Sequence, residues 1–307
     1  MISVPEVVIE RIAASIGSGE PLVDLAIESA RVALGSDRVA LRSDRVTTAG
    51  PAETLTNSNR LHSTLTDPMS EAPVAVVAAT FSNPERFPSL AVRVAASLGL
   101  PPSVAAFDLQ MACSAYPYAL YLAGRMALDL GGKVLVIDGD VQSSLVDESD
   151  HATGKIFSDA CTATVVTANP DGTSAFDFLS RQDEALLCAA SGPIKMDGFK
   201  VFSFVATEVS KFLRDFLSIS PAPGFFAPHQ ANPYMVRQLA DALQLKDELL
   251  TIPEELKNPG SCSVPLALAH NAARIAGSSV LVAGFGAGYS ASAGIVRIAD
   301  DYEGMVL

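Results

Sequence analysis

Cys113 is the residue of this chain best placed to do chemistry. It lies in Ala106-Phe107-Asp108-Leu109-Gln110-Met111-Ala112-Cys113-Ser114-Ala115-Tyr116, an apolar strand pattern that runs through a tight turn into a long helical one. The thiol therefore falls at or just before the first helical turn, where unpaired backbone N–H groups and the positive end of the helix dipole favour an anion. A thiol so placed tends towards thiolate, the form that attacks carbonyl carbon. A small buried residue at a helix start is the alternative reading of the cysteine taken alone. His229 ends a second apolar strand pattern, Phe225-Phe226-Ala227-Pro228-His229-Gln230-Ala231-Asn232, and suits proton transfer or hydrogen-bond donation. Its alternative is a satisfied core histidine. Asn258, in Lys257-Asn258-Pro259-Gly260-Ser261, is either a neutral amide donor or a turn residue. Gly284-Phe285-Gly286-Ala287-Gly288-Tyr289 has tyrosine where a dinucleotide loop needs its last glycine, and no helix pattern follows. It suits a sharp turn that brings backbone N–H groups to an oxyanion. The absence of a G-x-S-x-G motif counts against a serine hydrolase of the common type.

The elements that must hold these groups follow from composition and pattern. A chain of 307 residues with 49% hydrophobic content can bury a substantial core as one large domain or two fused halves. No apolar run is long enough to span a bilayer, and Met1 to Glu10 carries acid and proline where a signal peptide carries base, so the cytoplasm is expected. Cys113, Cys161, Cys188 and Cys262 form no C-x-x-C pair; with only 4 histidines they provide no metal-site spacing and read as reduced thiols. A net charge of −13 argues against nucleic-acid binding.

Val7 to Ile16 reads as a strand or short helix, and Leu22 to Leu34 as a helix by the spacing of Leu22, Leu25, Ala26, Ser29, Ala30 and Ala33. Residues 42–73, rich in Thr, Ser, Asn, Asp and Pro, read as a long surface excursion. Strands follow at 74–80, 104–109, 134–138 and 160–167, with helices at 89–98 and 113–130 and a turn at Asn169-Pro170-Asp171-Gly172. The second half repeats the alternation: strands at 175–180, 224–227, 280–285 and 291–298, helices at 199–217, 263–275 and from Asn232 to Leu243. This predicts an α/β fold of mostly parallel sheets covered on both faces, with Cys113 and His229 in equivalent strand-to-helix corners, where ligands gather in such sheets.

Taken together, Ala112-Cys113-Ser114-Ala115, Pro228-His229-Gln230-Ala231-Asn232, Asn258 followed by Pro265-Leu266-Ala267-Leu268, and Gly286-Ala287-Gly288-Tyr289 resemble a β-ketoacyl-acyl-carrier-protein synthase III. Phe87-Pro88-Ser89 and Ile156-Phe157-Ser158-Asp159 match as well, so the resemblance covers about residues 73–307. It implies the thiolase fold: two similar α/β halves in packed layers, with residues 1–170 carrying the nucleophilic cysteine and 171–307 carrying His and Asn. It implies that Cys113 takes an acyl group from a thioester, usually acyl-CoA, and that a malonyl thioester then decarboxylates and condenses with it. In that scheme His229 and Asn258 stabilise the enolate, the N–H groups of Cys113 and Gly288 hold the oxyanion, and Asn232 contacts substrate. Phe87 lines the acyl pocket across a homodimer interface and Phe157 lines it from within. No cofactor or metal is implied; the partners are acyl-CoA or acyl carrier protein, with no nucleic acid and no membrane.

The chain also departs from that family. Residues 1–72 lack its usual opening, the sequence has no Trp, Tyr234 and Ser203 stand where basic residues often face the carrier, and Lys257 and Pro259 flank Asn258 where Gly and Thr are usual. These departures point to a specialised relative serving a secondary-metabolite or signalling pathway. Two alternatives remain: an acyltransferase or thioester hydrolase without decarboxylation, and a non-catalytic partner subunit of an active homologue.

Overall fold

The computed structural model describes residues 1–17, 19–35, 72–151, 153–190 and 192–307. Most of the surface excursion expected over 42–73 lies outside the described residues. The first half comprises β1 (Ile2–Ile16), α1 (Leu22–Ala33), β2 (Ala75–Ala79), α2 (Leu90–Ser97), β3 (Ala105–Leu109), α3 (Ala115–Leu130), β4 (Val134–Asp140) and β5 (Ala160–Leu179). Then come β6 (Leu186–Leu187), β7 (Lys195–Met196), α4 (Gly198–Phe204) running through a π turn into α5 (Ser210–Leu217), β8 (Phe225–Pro228) and α6 (Pro233–Leu243). The chain ends with α7 (Ser263–His270), α8 (Ala272–Ile275), β9 (Ser279–Gly286) and β10 (Ser290–Val306).

Strand order is β3-β2-β4-β5-β1-β10-β9-β8. In the first half β2 runs parallel to β3 and β4, and β5 is antiparallel to both β4 and β1. The same pairings recur in the second half: β8 is parallel to Leu249 and β9, and β10 is antiparallel to both β9 and the far end of β5. The recurrence corrects one expectation. Cys113 follows β3, whose counterpart is Leu249, so its equivalent corner is the Asn258 turn before α7. His229 follows β8, and its equivalent is Thr80 after β2.

Both faces of the sheets are covered, which is why the strands read as unbroken apolar runs. On β4, Val134 and Val136 face a middle core shared with Ala119 and Leu120 of α3 and Leu266 and Leu268 of α7, while Leu135 and Ile137 face α1 and α2. On β9, Val280 and Val282 join the middle core, and Leu281, Ala283 and Phe285 face α5 and α6. Each such side chain contributes about 1.5–3 kcal/mol when fully buried, so a charge at Val136 or Val282 would break the layer. The buried residues of α1 are Leu22, Leu25, Ala26, Ser29, Ala30 and Ala33, as its spacing predicts.

Two local expectations fail. The Asn169–Gly172 turn does not end a strand: β5 continues through it, because β1 pairs with Thr173 through Pro5 and with Asn169 through Glu6, leaving 170–172 as a bulge. The helix expected over 263–275 breaks at Asn271, whose Nδ2 donates to the Ala267 and Thr251 carbonyls.

Candidate active site

Cys113 sits in a single 3-10 turn, Ala112–Ser114, wedged between β3 and α3. The turn is entered through Ala112 at φ 43°, a left-handed conformation that costs a non-glycine residue about 1–3 kcal/mol and is held here by its surroundings. The Ser292 hydroxyl donates to the Ser114 carbonyl at 2.8 Å, and the Ser114 and Ser290 hydroxyls meet at 2.7 Å, pinning the turn to β10. β9 passes so close that a Cβ at Gly284 would lie 2.7 Å from Ser114 Cα, and one at Gly286 would lie 3.1 Å from Cys113 Cβ. The glycine run is therefore where the nucleophile's turn lies against the second half.

The sulfur is not poised as a thiolate. Burial, opposed by a hydrogen bond from the Ala287 backbone and reinforced by the carboxyl of Asp140, pushes the Cys113 thiol up to about 12. The expected thiolate is thus corrected: loss of water around the sulfur outweighs the helix start. The backbone group that reaches Sγ is Ala287, one residue before Gly288. At Gly288, φ is 67° and a Cβ would face the Arg181 carbonyl at 3.8 Å.

His229 is buried at the end of β8, its N–H donating to the Ala283 carbonyl at 2.7 Å and its ring edge-on to Phe285 at 5.5 Å. Burial, partly opposed by the Gly260 backbone, pushes it down to about 4, so the ring is neutral at physiological pH. Nδ1 lies 2.9 Å from Ser263 Oγ, which already accepts from Gln230 N–H at 3.0 Å. Ser263 Oγ and the Gly260 backbone thus hold the neutral ring in place.

Asn258 is set by its backbone. Its N–H donates to the Ile156 carbonyl at 3.1 Å, and its carbonyl accepts from Ser158 N–H at 3.1 Å and Gln142 Nε2 at 3.0 Å. Gly260 N–H donates to Oδ1 at 3.0 Å, which leaves the Nδ2 hydrogens without a partner among the described residues. Beneath this turn lie two buried acids of β4. Asp138 accepts the Ser261 hydroxyl, and burial, opposed by that bond, holds its carboxyl well above the carboxylate range. Asp140 Oδ1 accepts from Thr80 Oγ1 at 2.8 Å, Phe81 N–H at 2.9 Å and Ser82. Among the described residues its Oδ2 has no partner; it faces Gly260, and burial raises the carboxyl to about 6.

The structure thus brings Cys113, His229 and Asn258 to one region, through the contacts of Gly286 and Ala287 with the sulfur, Phe285 with His229, and the Gly260–Ser263 turn with both. Two cavities adjoin it. One of about 310 Å³ is lined by Ile156, Ala231, Asn232, Lys257 and Asn258; one of about 360 Å³ is lined by Phe157, Ser158, Lys257 and Pro259. Neither wall includes Cys113 or His229 among the described residues. Asn232 caps α6, its Oδ1 accepting Met235 N–H at 2.8 Å. Phe87 stands 84% exposed, two residues before the Ser89 cap of α2.

Sequence reasoning missed Ala287, Ser263, Gln142 and the acid pair. Asp138-Gly139-Asp140 carried a signal, two acids closing an apolar strand run; Gln142 and Ser263 carried none.

The profile of 3-oxoacyl-[acyl-carrier-protein] synthase III matches residues 107–183, and that of its C-terminal part matches residues 224–298. The β-ketoacyl-[acyl-carrier-protein] synthase III of Campylobacter concisus is 31% identical over 255 residues, covering 73% of this chain and 75% of its own. The mycobacterial β-ketoacyl-[acyl-carrier-protein] synthase III of Mycobacterium avium is 33% identical over 250 residues, covering 73% and 74%. In three dimensions, the synthase III of Pseudomonas aeruginosa superposes with a TM-score of 0.77 at 23% identity, over 96% of this chain and 98% of that one.

Proposed function

The chain belongs to the 3-oxoacyl-[acyl-carrier-protein] synthase III family of thiolase-fold acyltransferases, and from that premise we propose that Cys113, His229 and Asn258 carry out its condensing chemistry. The observation that carries this reading is the pair of uncharged groups, the His229 ring and the Asn258 amide, joined through the turn of Gly260 to Ser263.

In the first step Cys113 Sγ bonds to the carbonyl carbon of an acyl thioester. The carbonyl oxygen becomes an oxyanion held by the backbone N–H groups of Cys113 and Ala287; the carrier's C–S bond then breaks, and its thiol leaves with the proton from Sγ. We assign the second oxyanion donor to Ala287 in place of Gly288 because Ala287 is the group that meets the sulfur. In the second step the bond from malonyl carbon to carboxylate breaks, carbon dioxide leaves, and the electron pair moves to the thioester oxygen between His229 and Asn258. The enolate carbon bonds to the acyl-cysteine carbonyl, and Sγ leaves and regains a proton. Neutral donors suit this step, since they stabilise developing charge in a dry site without bringing a buried charge of their own.

The same reading takes residues 1–170 as the nucleophile-bearing half and 171–307 as the half that bears His229 and Asn258. It places Phe87 in the acyl pocket of a homodimer partner, supported by its exposure, and Phe157 and Asn232 along the substrate path, supported by the cavities that they line. Acyl-CoA or acyl carrier protein delivers the thioesters, no cofactor is used, and the pathway is a specialised one in the cytoplasm. Among the described residues no helix is long and apolar enough to cross a membrane.

The test is carbon dioxide release from a malonyl thioester by wild type and Asn258→Ala, alongside the intact mass of the chain after incubation with acyl-CoAs. Release by wild type and its loss in the variant support condensation. Acyl gain without release favours transfer or hydrolysis. The burial of Cys113, 6% exposed, favours a second reading, a non-catalytic partner subunit, which stands if no donor adds mass to Cys113.

A further inference from the structure

Lys257 is a residue at the site whose placement the chemistry above leaves unused. It precedes Asn258 directly, its side chain is exposed, and it lines both cavities. Among the described residues no carboxylate pairs with it, whereas Arg237, the other cation on the 310 Å³ cavity, lies 3.6 Å from Glu254. Its backbone sits at φ 52°, ψ −134°, a region that glycine adopts freely and a side chain rarely does. The conformation is imposed from both sides: Lys257 N–H donates to the Glu254 carbonyl and Asn258 N–H to the Ile156 carbonyl, each at 3.1 Å.

A lysine kept where glycine would relax the turn, unpaired in a chain of net charge −13, is a cation held for something that arrives from outside. The cavity sorts what can arrive. Ile156, Ala231, Pro233 and Ile252 provide an apolar wall, with the neutral Asn258 amide and the Lys257 charge beside it. Resting on the acyl-transfer reading above, we propose that Lys257 binds an oxyanion carried by the incoming thioester, either the phosphate of the pantetheine arm or the carboxylate of the malonyl group. The ammonium acts as a point charge beside Asn258, so that the amide is left to the thioester oxygen.

The experiment titrates the full chain calorimetrically with 4′-phosphopantetheine, pantetheine, malonyl-N-acetylcysteamine and acetyl-N-acetylcysteamine. Wild type is compared with Lys257→Gln, Lys257→Arg and Lys257→Gly. We expect Lys257→Gln and Lys257→Gly to bind the oxyanion-bearing probe about tenfold more weakly, with the matching neutral probe unchanged and Lys257→Arg near wild type. Selective loss with 4′-phosphopantetheine identifies the phosphate, and selective loss with the malonyl probe identifies the carboxylate. Lys257→Gly should melt no lower than wild type, which shows that lost binding is not lost folding. Equal affinities of wild type and Lys257→Gln for every probe overturn the inference. Acyl gain on Cys113, followed in the same samples, tests the underlying reading separately: loading together with equal affinities removes the role of Lys257 and leaves the acyl-transfer reading standing.

Discussion

Asp138 accepts the hydroxyl of Ser261, 123 residues further along the chain, and so ties the end of β4 to the turn that carries Asn258. The carboxyl is fully buried, and among the described residues its other oxygen has no partner, so burial keeps it in its protonated form. One neutral carboxyl thus fixes the second half's turn against the first beside the nucleophile.

Asp138→Asn keeps an acceptor for Ser261 and removes the titratable group. Because the carboxyl already holds its proton, alkylation of Cys113 by iodoacetamide at pH 8, followed on the Cys113 peptide, should run close to the wild-type rate. Asp138→Ala instead leaves the Ser261 hydroxyl buried and unpaired, and should lower unfolding stability in urea by about 1–3 kcal/mol. A several-fold faster alkylation in Asp138→Asn would show that the wild-type carboxyl is ionised.

Ser263→Ala should separate the two chemical steps. Without its hydroxyl, His229 Nδ1 loses the partner that orients the ring. Carbon dioxide release should fall at least about tenfold, equivalent to about 1.4 kcal/mol of transition-state stabilisation, while acyl gain on Cys113 stays near wild type. A parallel fall in both would point to general damage to the turn.

The pH dependence of stability should carry opposed contributions. The folded value of His229 lies at about 4, below its ordinary 6.5. As pH falls through that window the unfolded chain takes up a proton that the folded chain refuses, so stability falls. Asp140 works in the other direction. Its folded value of about 6 lies above the ordinary 3.8, so its contribution is present at low pH and lost as pH rises through 6. Urea midpoints between pH 4 and 7 should therefore drop less steeply on acidification in His229→Gln than in wild type; an unchanged slope would mean that the histidine is not buried neutral.

Gly286→Ala would put a methyl 3.1 Å from Cys113 Cβ and 3.4 Å from its sulfur, on a backbone at φ 148°. Acyl gain on Cys113 should be lost or fall steeply. Gly284→Ala, 2.7 Å from the Ser114 backbone, should destabilise the chain by about 1–3 kcal/mol, read as a lower urea midpoint. Normal loading by Gly286→Ala would show that the turn can move away from the nucleophile.

What could be read without coordinates was periodic or local. The apolar stripe of α1, the unbroken strands β2 and β4, and the strand-to-helix corners at Cys113 and His229 all follow from side-chain direction along the backbone, which neighbours in sequence suffice to set. Burial and partnership needed the folded chain, because they are made by residues far apart in sequence. Nothing near Cys113 announces that Ala287 meets its sulfur or that Asp140 raises its pKa, so a helix start that favours a thiolate in isolation holds a thiol here. Nothing near Pro170 shows that β1 pairs on both sides of the bulge and carries β5 through it. Periodicity lays out the strands and helices; the charge state of the sulfur and the imidazole depends on how much water those packed layers exclude.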